Sequence, residues 1–208
     1  MTRIKICGIT NIKDALNAVE LGADALGFMF YEGSKRYIKP EQARGIISEL
    51  PPFISTVGVF VNQDGDEIKA AMELSGIEGI QLHGDETPEF CASVNDSISN
   101  KVIKALRVKD KIYTENIDLY PVQAILFDKF SKEAYGGTGT SFKWELLRGL
   151  NLNNKIILSG GLTPENVGEA IEIVNPYAVD VSTGVEQSPG VKSQVKLRKF
   201  IEAVKNGN

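Results

Sequence analysis

Eight short apolar runs recur along the chain at intervals of about 25 residues, and that interval restricts the fold more than any other feature. They are Ile4–Cys7, Ala25–Phe30, Thr56–Val61, Gly79–Leu82, Val102–Val108, Val122–Phe127, Lys155–Leu158 and Ala178–Val181. They are rich in Val, Ile and Phe and mostly lack polar alternation. Runs of that kind suit strands covered on both faces, and therefore a parallel sheet. A strand with its crossover helix occupies ~20–30 residues, so the interval is that of a βα unit.

Most intervening segments read as amphipathic helices with recognisable ends. Thr10-Asn11 caps one, with Ala15, Leu16, Val19 and Leu21 on its apolar face and Gly22 past its end. Pro40 suits the first position of a helix through Ala43, Ile46, Ile47 and Leu50, stopped by Pro51-Pro52. Asp64, Thr87 and Thr163 open three more, and a last helix runs from about Lys192 to Val204. The stretch Lys109–Tyr120 has no clean helical period.

No linker or composition break interrupts the series, so residues 1–208 are expected to form one α/β domain, a (β/α)8 TIM barrel. At 208 residues it is near the minimum for that fold, whose usual length is ~250. An open doubly wound sheet is the alternative. It seldom needs eight evenly spaced strands and usually carries a phosphate loop after the first. A barrel directs attention to the C-terminal ends of its strands, where such enzymes place their chemistry.

The remaining composition narrows the function. A net charge of −4 argues against a broad nucleic-acid surface. No apolar stretch reaches the ~18 residues that span a bilayer, and the N-terminus shows no secretory leader. Two distant cysteines, Cys7 and Cys91, point to a reducing, cytoplasmic setting. One histidine is too few for a His/Cys zinc site, so no metal is expected. Neither G-x-x-x-x-G-K-[ST] nor G-x-G-x-x-G follows the first strand, which leaves little support for a nucleotide cofactor.

The strand ends hold the candidate residues. Cys7 closes the first run; a cysteine there serves as base or nucleophile when ionised, or packs as a small apolar residue. Asp128 follows the sixth run and either transfers a proton or caps a turn. His83, after the fourth, is a catalytic group or one that orients its loop. Arg36, in Ser34-Lys35-Arg36, either grips a planar carboxylate or is solvated. Glycine clusters follow the late strands: Gly136-Gly137-Thr138-Gly139, Ser159-Gly160-Gly161 and Ser182-Thr183-Gly184. Nine of the 20 glycines fall just after predicted strands. Glycine lets successive N–H groups converge on an anion, and the loops after strands 7 and 8 are a common phosphate cradle in barrels. Turn chemistry accounts for any one pair, but two clusters at corresponding strand ends favour a phosphate.

Taken in order, Lys5-Ile6-Cys7-Gly8-Ile9-Thr10, Ser34-Lys35-Arg36-Tyr37-Ile38, Gln81-Leu82-His83-Gly84-Asp85-Glu86, Phe127-Asp128 with the glycine cluster beyond it, Ser159-Gly160-Gly161-Leu162 and Asp180-Val181-Ser182-Thr183-Gly184-Val185-Glu186 resemble the phosphoribosylanthranilate isomerase family across nearly the whole chain. The resemblance implies an aldose–ketose isomerase acting at the third step of tryptophan biosynthesis from chorismate. The reaction is a cofactor-free Amadori rearrangement of N-(5-phosphoribosyl)anthranilate to 1-(2-carboxyphenylamino)-1-deoxyribulose 5-phosphate. It implies Asp128 as general acid on the ring oxygen and Cys7 as thiolate base at C2. Arg36 would hold the anthranilate carboxylate. Gly160, Gly161, Thr183 and Gly184 would hold the phosphate, with Ser182 and His83 among the substrate-binding residues. The implied partner is a small phosphosugar, with no nucleic acid or membrane, and the chain is expected to be a monomer or homodimer.

The chain departs from the family pattern in two places. Lys35 stands where the family often has Pro, which leaves that loop less restrained. The stretch Lys129–Tyr135 is idiosyncratic and reads as a flap over the site. Two rivals remain: another phosphate-binding barrel enzyme, which would generally use Lys, Glu or paired Asp, and a non-catalytic phosphosugar-binding protein.

Overall fold

The computed structural model describes residues 1–98, 101–109, 111–112, 117–130 and 142–207. Eight parallel strands form a closed barrel in chain order: β1 Arg3–Cys7, β2 Ala25–Met29, β3 Ser55–Phe60, β4 Gly79–Leu82, β5 Val102–Val108, β6 Ala124–Lys129, β7 Lys155–Leu158 and β8 Ala178–Val181. Closure comes from β1 pairing with β8, with Lys5 opposite Asp180. Four of the eight expected strands, β4, β5, β7 and β8, have the bounds read from the sequence.

The helix ends follow the capping chemistry. In α1 (Ile12–Leu21) the Asn11 side chain accepts from the Asp14 N–H at 2.9 Å, and Gly22 ends the helix at φ 107°. α2 is Pro40–Ile47, with Pro40 at its first turn. α3 (Gly65–Ser75) has a reciprocal Asp64/Glu67 capping box. α4 (Pro88–Ser97) is capped by Thr87 and α6 (Gln194–Asn206) by Ser193, whereas α5 (Val167–Val174) starts beyond the Thr163 expected to open it, with Asn166 at its N-cap and no side-chain cap bond. A short hairpin, β9 Glu186–Ser188 and β10 Val191–Lys192, lies between β8 and α6.

Among the described residues, α-helices follow six of the eight strands. None follows β5, and a single 3-10 turn, Trp144–Leu147, follows β6. Two corrections bear on the site. Leu16 lies 42% exposed, because α1 turns Asp14, Ala15 and Ala18 inward instead. β6 begins two residues later than the apolar run, since Val122 belongs to a turn in which its N–H bonds Tyr120. The strand therefore extends through Asp128, which makes the candidate acid a barrel residue and not a loop residue.

Two apolar cores result. The larger packs the helices against the outside of the barrel and includes Ile6, Leu26, Phe28, Phe127, Phe200 and Val204. The smaller fills the lower lumen with Ala105, Ala124, Leu126, Ile157 and Ala178. Among the described residues, no helix is long and apolar enough to cross a membrane.

Candidate active site

Side chains alternate along a strand, so residues two apart share a face. Above the apolar lower lumen that rule lines the barrel mouth with polar groups: Lys5 and Cys7 from β1, Gln81 and His83 from β4 and its end, Asp128 from β6, and Asp180 from β8. All six are buried. Burial of charge is tolerated only with partners, and most of the partners here come from distant parts of the chain.

Lys5 donates to Asp180 Oδ1 and to Gln81 Oε1, both at 2.9 Å. β1 and β4 are not neighbours in the barrel, so the second bond crosses the lumen. Gln81 Nε2 meets His83 Nδ1 at 2.8 Å, and His83 Nε2 meets Asp128 Oδ2 at 3.2 Å. Asp128 Oδ1 accepts from the Lys129 N–H at 2.7 Å. A continuous hydrogen-bonded chain thus joins Asp180 to Asp128.

Cys7 lies on the same side of β1 as Lys5. A Cβ on Gly27 would come within 2.8 Å of the Cys7 sulfur and 3.2 Å of Lys5 Cε, so glycine in β2 makes room for both. Burial pushes the Cys7 thiol up, and the Lys5 and Lys192 ammonium groups pull against it. Burial pulls the Lys5 ammonium down, but Asp180 and Cys7 more than offset this and leave it raised. Cys91 is different: burial behind α4 lifts its thiol to about 11, which marks a packing residue.

Arg36 is not solvated. Its Nε and Nη2 donate to the two oxygens of Glu186 at 2.8 and 2.7 Å, and Nη2 also reaches Thr183 Oγ1 at 3.2 Å. The Nη1 donors have no partner among the described residues. Burial pushes Glu186 up, yet Arg36 and Lys192 outweigh it and hold the carboxyl below the usual range. The Lys192 ammonium donates to Glu186 at 3.0 Å and to the Cys7 carbonyl at 2.6 Å, so the β9–β10 hairpin straps the end of β8 onto the end of β1.

Beside Asp128, a depression between the loops after β7 and β8 is lined by Ser159, Gly160, Gly161, Ser182, Thr183 and Gly184. Gly160 and Gly161 adopt φ of 85° and 72°, conformations open mainly to glycine. A Cβ on Gly160 would lie 2.7 Å from the Lys129 nitrogen and 2.9 Å from Asp128 Oδ1. A Cβ on Gly184 would run into the Leu162 carbonyl oxygen. Ser182 Oγ is buried and has no hydrogen-bond partner among the described residues.

The structure therefore brings Cys7, Arg36, His83, Asp128, Gly160, Gly161, Ser182, Thr183 and Gly184 to one rim. Both ring nitrogens of His83 are engaged by protein groups. The cluster Gly136-Gly137-Thr138-Gly139 and most of the expected flap, residues 131–135, lie outside the described residues. The described residues include no group of three or more His, Cys, Asp or Glu placed to hold a metal. Sequence reading singled out neither Lys5, Gln81, Glu186 nor Lys192. The signal for the first two was present: each stands two residues before a candidate on the same strand face.

Known proteins resemble this chain along nearly its whole length. Residues 4–203 match the family model for N-(5'-phosphoribosyl)anthranilate isomerase. The Geobacter metallireducens protein named N-(5'-phosphoribosyl)anthranilate isomerase is 53% identical over 205 residues, covering 99% of this chain and all of that one. The solved phosphoribosyl anthranilate isomerase of Thermotoga maritima superposes with a TM-score of 0.91 at 45% identity, over 99% of this chain and 100% of that one. A solved phosphoribosyl anthranilate isomerase in complex with reduced 1-(o-carboxyphenylamino)-1-deoxyribulose 5-phosphate superposes at 0.85 with 44% identity, over 99% and 100%. An eight-stranded barrel, a matching family model across nearly its whole length and relatives at this identity together mean that the chain belongs to the N-(5'-phosphoribosyl)anthranilate isomerase family.

Proposed function

We propose that this protein converts N-(5-phosphoribosyl)anthranilate to 1-(2-carboxyphenylamino)-1-deoxyribulose 5-phosphate in tryptophan biosynthesis, with Asp128 as general acid and Cys7 as general base. The observation that carries the reading is the placement of these two buried proton-transfer groups on β6 and β1, strands that are not adjacent, at the mouth of one lumen. A sugar ring lying between them would meet the acid and the base from different sides.

Asp128 gives a proton to the furanose ring oxygen, and the C1–O bond breaks to leave a Schiff base. The carboxylate formed is met by two N–H donors already aimed at it, from His83 and Lys129. The Cys7 thiolate then takes the C2 proton. The imine nitrogen accepts the electron pair, and the resulting enolamine tautomerises to the ketone. The Lys5 ammonium next to the sulfur favours the thiolate.

The phosphate is assigned to the N–H groups of Gly160, Gly161, Thr183 and Gly184, with the Ser182 hydroxyl as a further donor. Their support is the glycine-shaped depression beside Asp128. Arg36 is assigned to the anthranilate carboxylate. Glu186 holds one edge of the guanidinium and leaves Nη1 for a planar anion. His83 acts on the substrate through Asp128. The partner is a small phosphosugar, with no nucleic acid or membrane. The chain, one domain over residues 1–208, works in the cytoplasm as a monomer or homodimer, and no cofactor is required.

Two substitutions test the assignment. Cys7→Ala and Asp128→Asn should each lower kcat by about 10²–10⁴-fold with circular dichroism unchanged, measured by fluorescence as loss of phosphoribosylanthranilate. Near-normal turnover in either variant removes that residue from the chemistry. Binding of the phosphosugar without turnover by the unaltered protein would favour a non-catalytic role.

A further inference from the structure

The geometry points to Gln81 as a positioning residue: held by the Lys5 ammonium, its amide places the proton of His83 on Nε2 and aims that N–H at Asp128. The proposal rests on the reading of Asp128 as the acid.

The argument is one of donors and acceptors. An ammonium has three donors and no acceptor, so the Gln81 atom 2.9 Å from Lys5 Nζ is the amide oxygen. The other end of the amide is then NH₂, and it faces His83 Nδ1 at 2.8 Å. Nδ1 must accept and therefore carries no proton. The neutral ring's proton sits on Nε2, 3.2 Å from Asp128 Oδ2. Reversing the amide would set NH₂ against the ammonium and oxygen against Nδ1. His83 would then carry its proton on Nδ1, and Nε2 would have no hydrogen with which to hold the carboxylate that Asp128 becomes on giving up its proton.

Burial leaves no other solution. Gln81 is wholly buried and Lys5 nearly so, and buried polar groups need protein partners. Asp180 anchors the chain by accepting from Lys5 at 2.9 Å. The arrangement matters to the reaction because Asp128 must present one oxygen to the substrate while the other is held. His83 supplies that hold, and it supplies it only as the Nε2–H tautomer. The Lys5 side chain also runs past Gly27 beside the Cys7 sulfur, and its charge pulls the thiol down, so one cation serves both ends of the site.

His83 is the sole histidine of the chain, so imidazole ¹⁵N spectra of the whole protein report it alone. The ligand-free wild type should show the Nε2–H tautomer; a dominant Nδ1–H form would overturn the proposal whether or not any variant folds. Gln81→Glu keeps an acceptor for Lys5 but has no donor for Nδ1. It should lose the Nε2–H signature, and kcat should fall about 10- to 100-fold with KM within about twofold. Gln81→Leu should fall similarly with mixed tautomers. Lys5→Met combined with Asp180→Asn, which removes the anchor without stranding a charge, should relax the tautomer in the same way. An unchanged spectrum and unchanged kcat in Gln81→Glu overturn the proposal. Because the spectra need no substrate, their result stands apart from that of Asp128→Asn, which tests the acid itself.

Discussion

The lower and upper halves of the barrel lumen are made by the same strands and solve opposite problems. β6 contributes Ala124 and Leu126 below and Asp128 above; β8 contributes Ala178 below and Asp180 above. The lower half is small and apolar, and its stability comes from shape. The upper half buries Lys5, Asp180, Gln81, His83 and Asp128, and its stability comes from complete pairing. A gap in the lower half costs contacts, while a gap in the upper half leaves a charge without a partner. The upper half also holds Cys7 and Asp128, the groups proposed to transfer protons, so on that reading the barrel concentrates its electrostatic cost where it gains function.

This contrast can be tested in five ways. Lys5→Met strands Asp180 and should destabilise by about 3–5 kcal/mol while also cutting activity. Leu126→Ala, a cavity in the lower half, should cost about 2–5 kcal/mol yet leave kcat within a few-fold. Urea denaturation together with turnover separates the two, and equal loss of activity per unit of lost stability would erase the distinction.

The pH dependence is the next largest effect. Burial raises the Cys7 thiol, and turnover needs Cys7 ionised and Asp128 protonated together, so kcat/KM should pass through an optimum and fall on both sides of it, by up to about tenfold per pH unit on each limb. The charged groups facing the sulfur are Lys5, Asp180, Lys192 and Arg36. A profile with no acid limb would contradict the base assignment, because protonating the thiolate must cost activity. Arg36→Ala, at the outer rim, should raise KM about tenfold with a smaller effect on kcat, checked by steady-state kinetics. Outside the lumen altogether, Leu16→Ala should change stability by no more than about 0.5 kcal/mol, because the side chain is 42% exposed. A larger loss in thermal melts would restore Leu16 to the apolar face that its spacing suggested.

Leu16 and Val122 show where pattern reading stops. Ala15 and Ala18 look less hydrophobic than Leu16, yet α1 lies close to the barrel and α6, and small residues face that contact. Val122 is apolar and buried, but Pro121 and the turn to Tyr120 keep it out of β6. The caps Asn11, Asp64 and Thr87 were legible because each acts within three residues of itself. In the site, Cys7, Arg36 and Asp128 stood out through their place at strand ends. Glu186 did not, since its role exists only against Arg36, 150 residues away.

Local order in the chain is enough to specify eight strands, most of the helices between them, and the glycine-rich turns after β7 and β8. Those features arise from alternation, capping and glycine freedom, which act over a few residues. The chain from Asp180 through Lys5, Gln81 and His83 to Asp128 is of another kind. Its links span 175, 76, 2 and 45 residues, and three of the four join different strands or strand ends. Only closure of the barrel brings these groups out of water together, and only then does the need to pair each buried donor and acceptor decide which atom holds the proton.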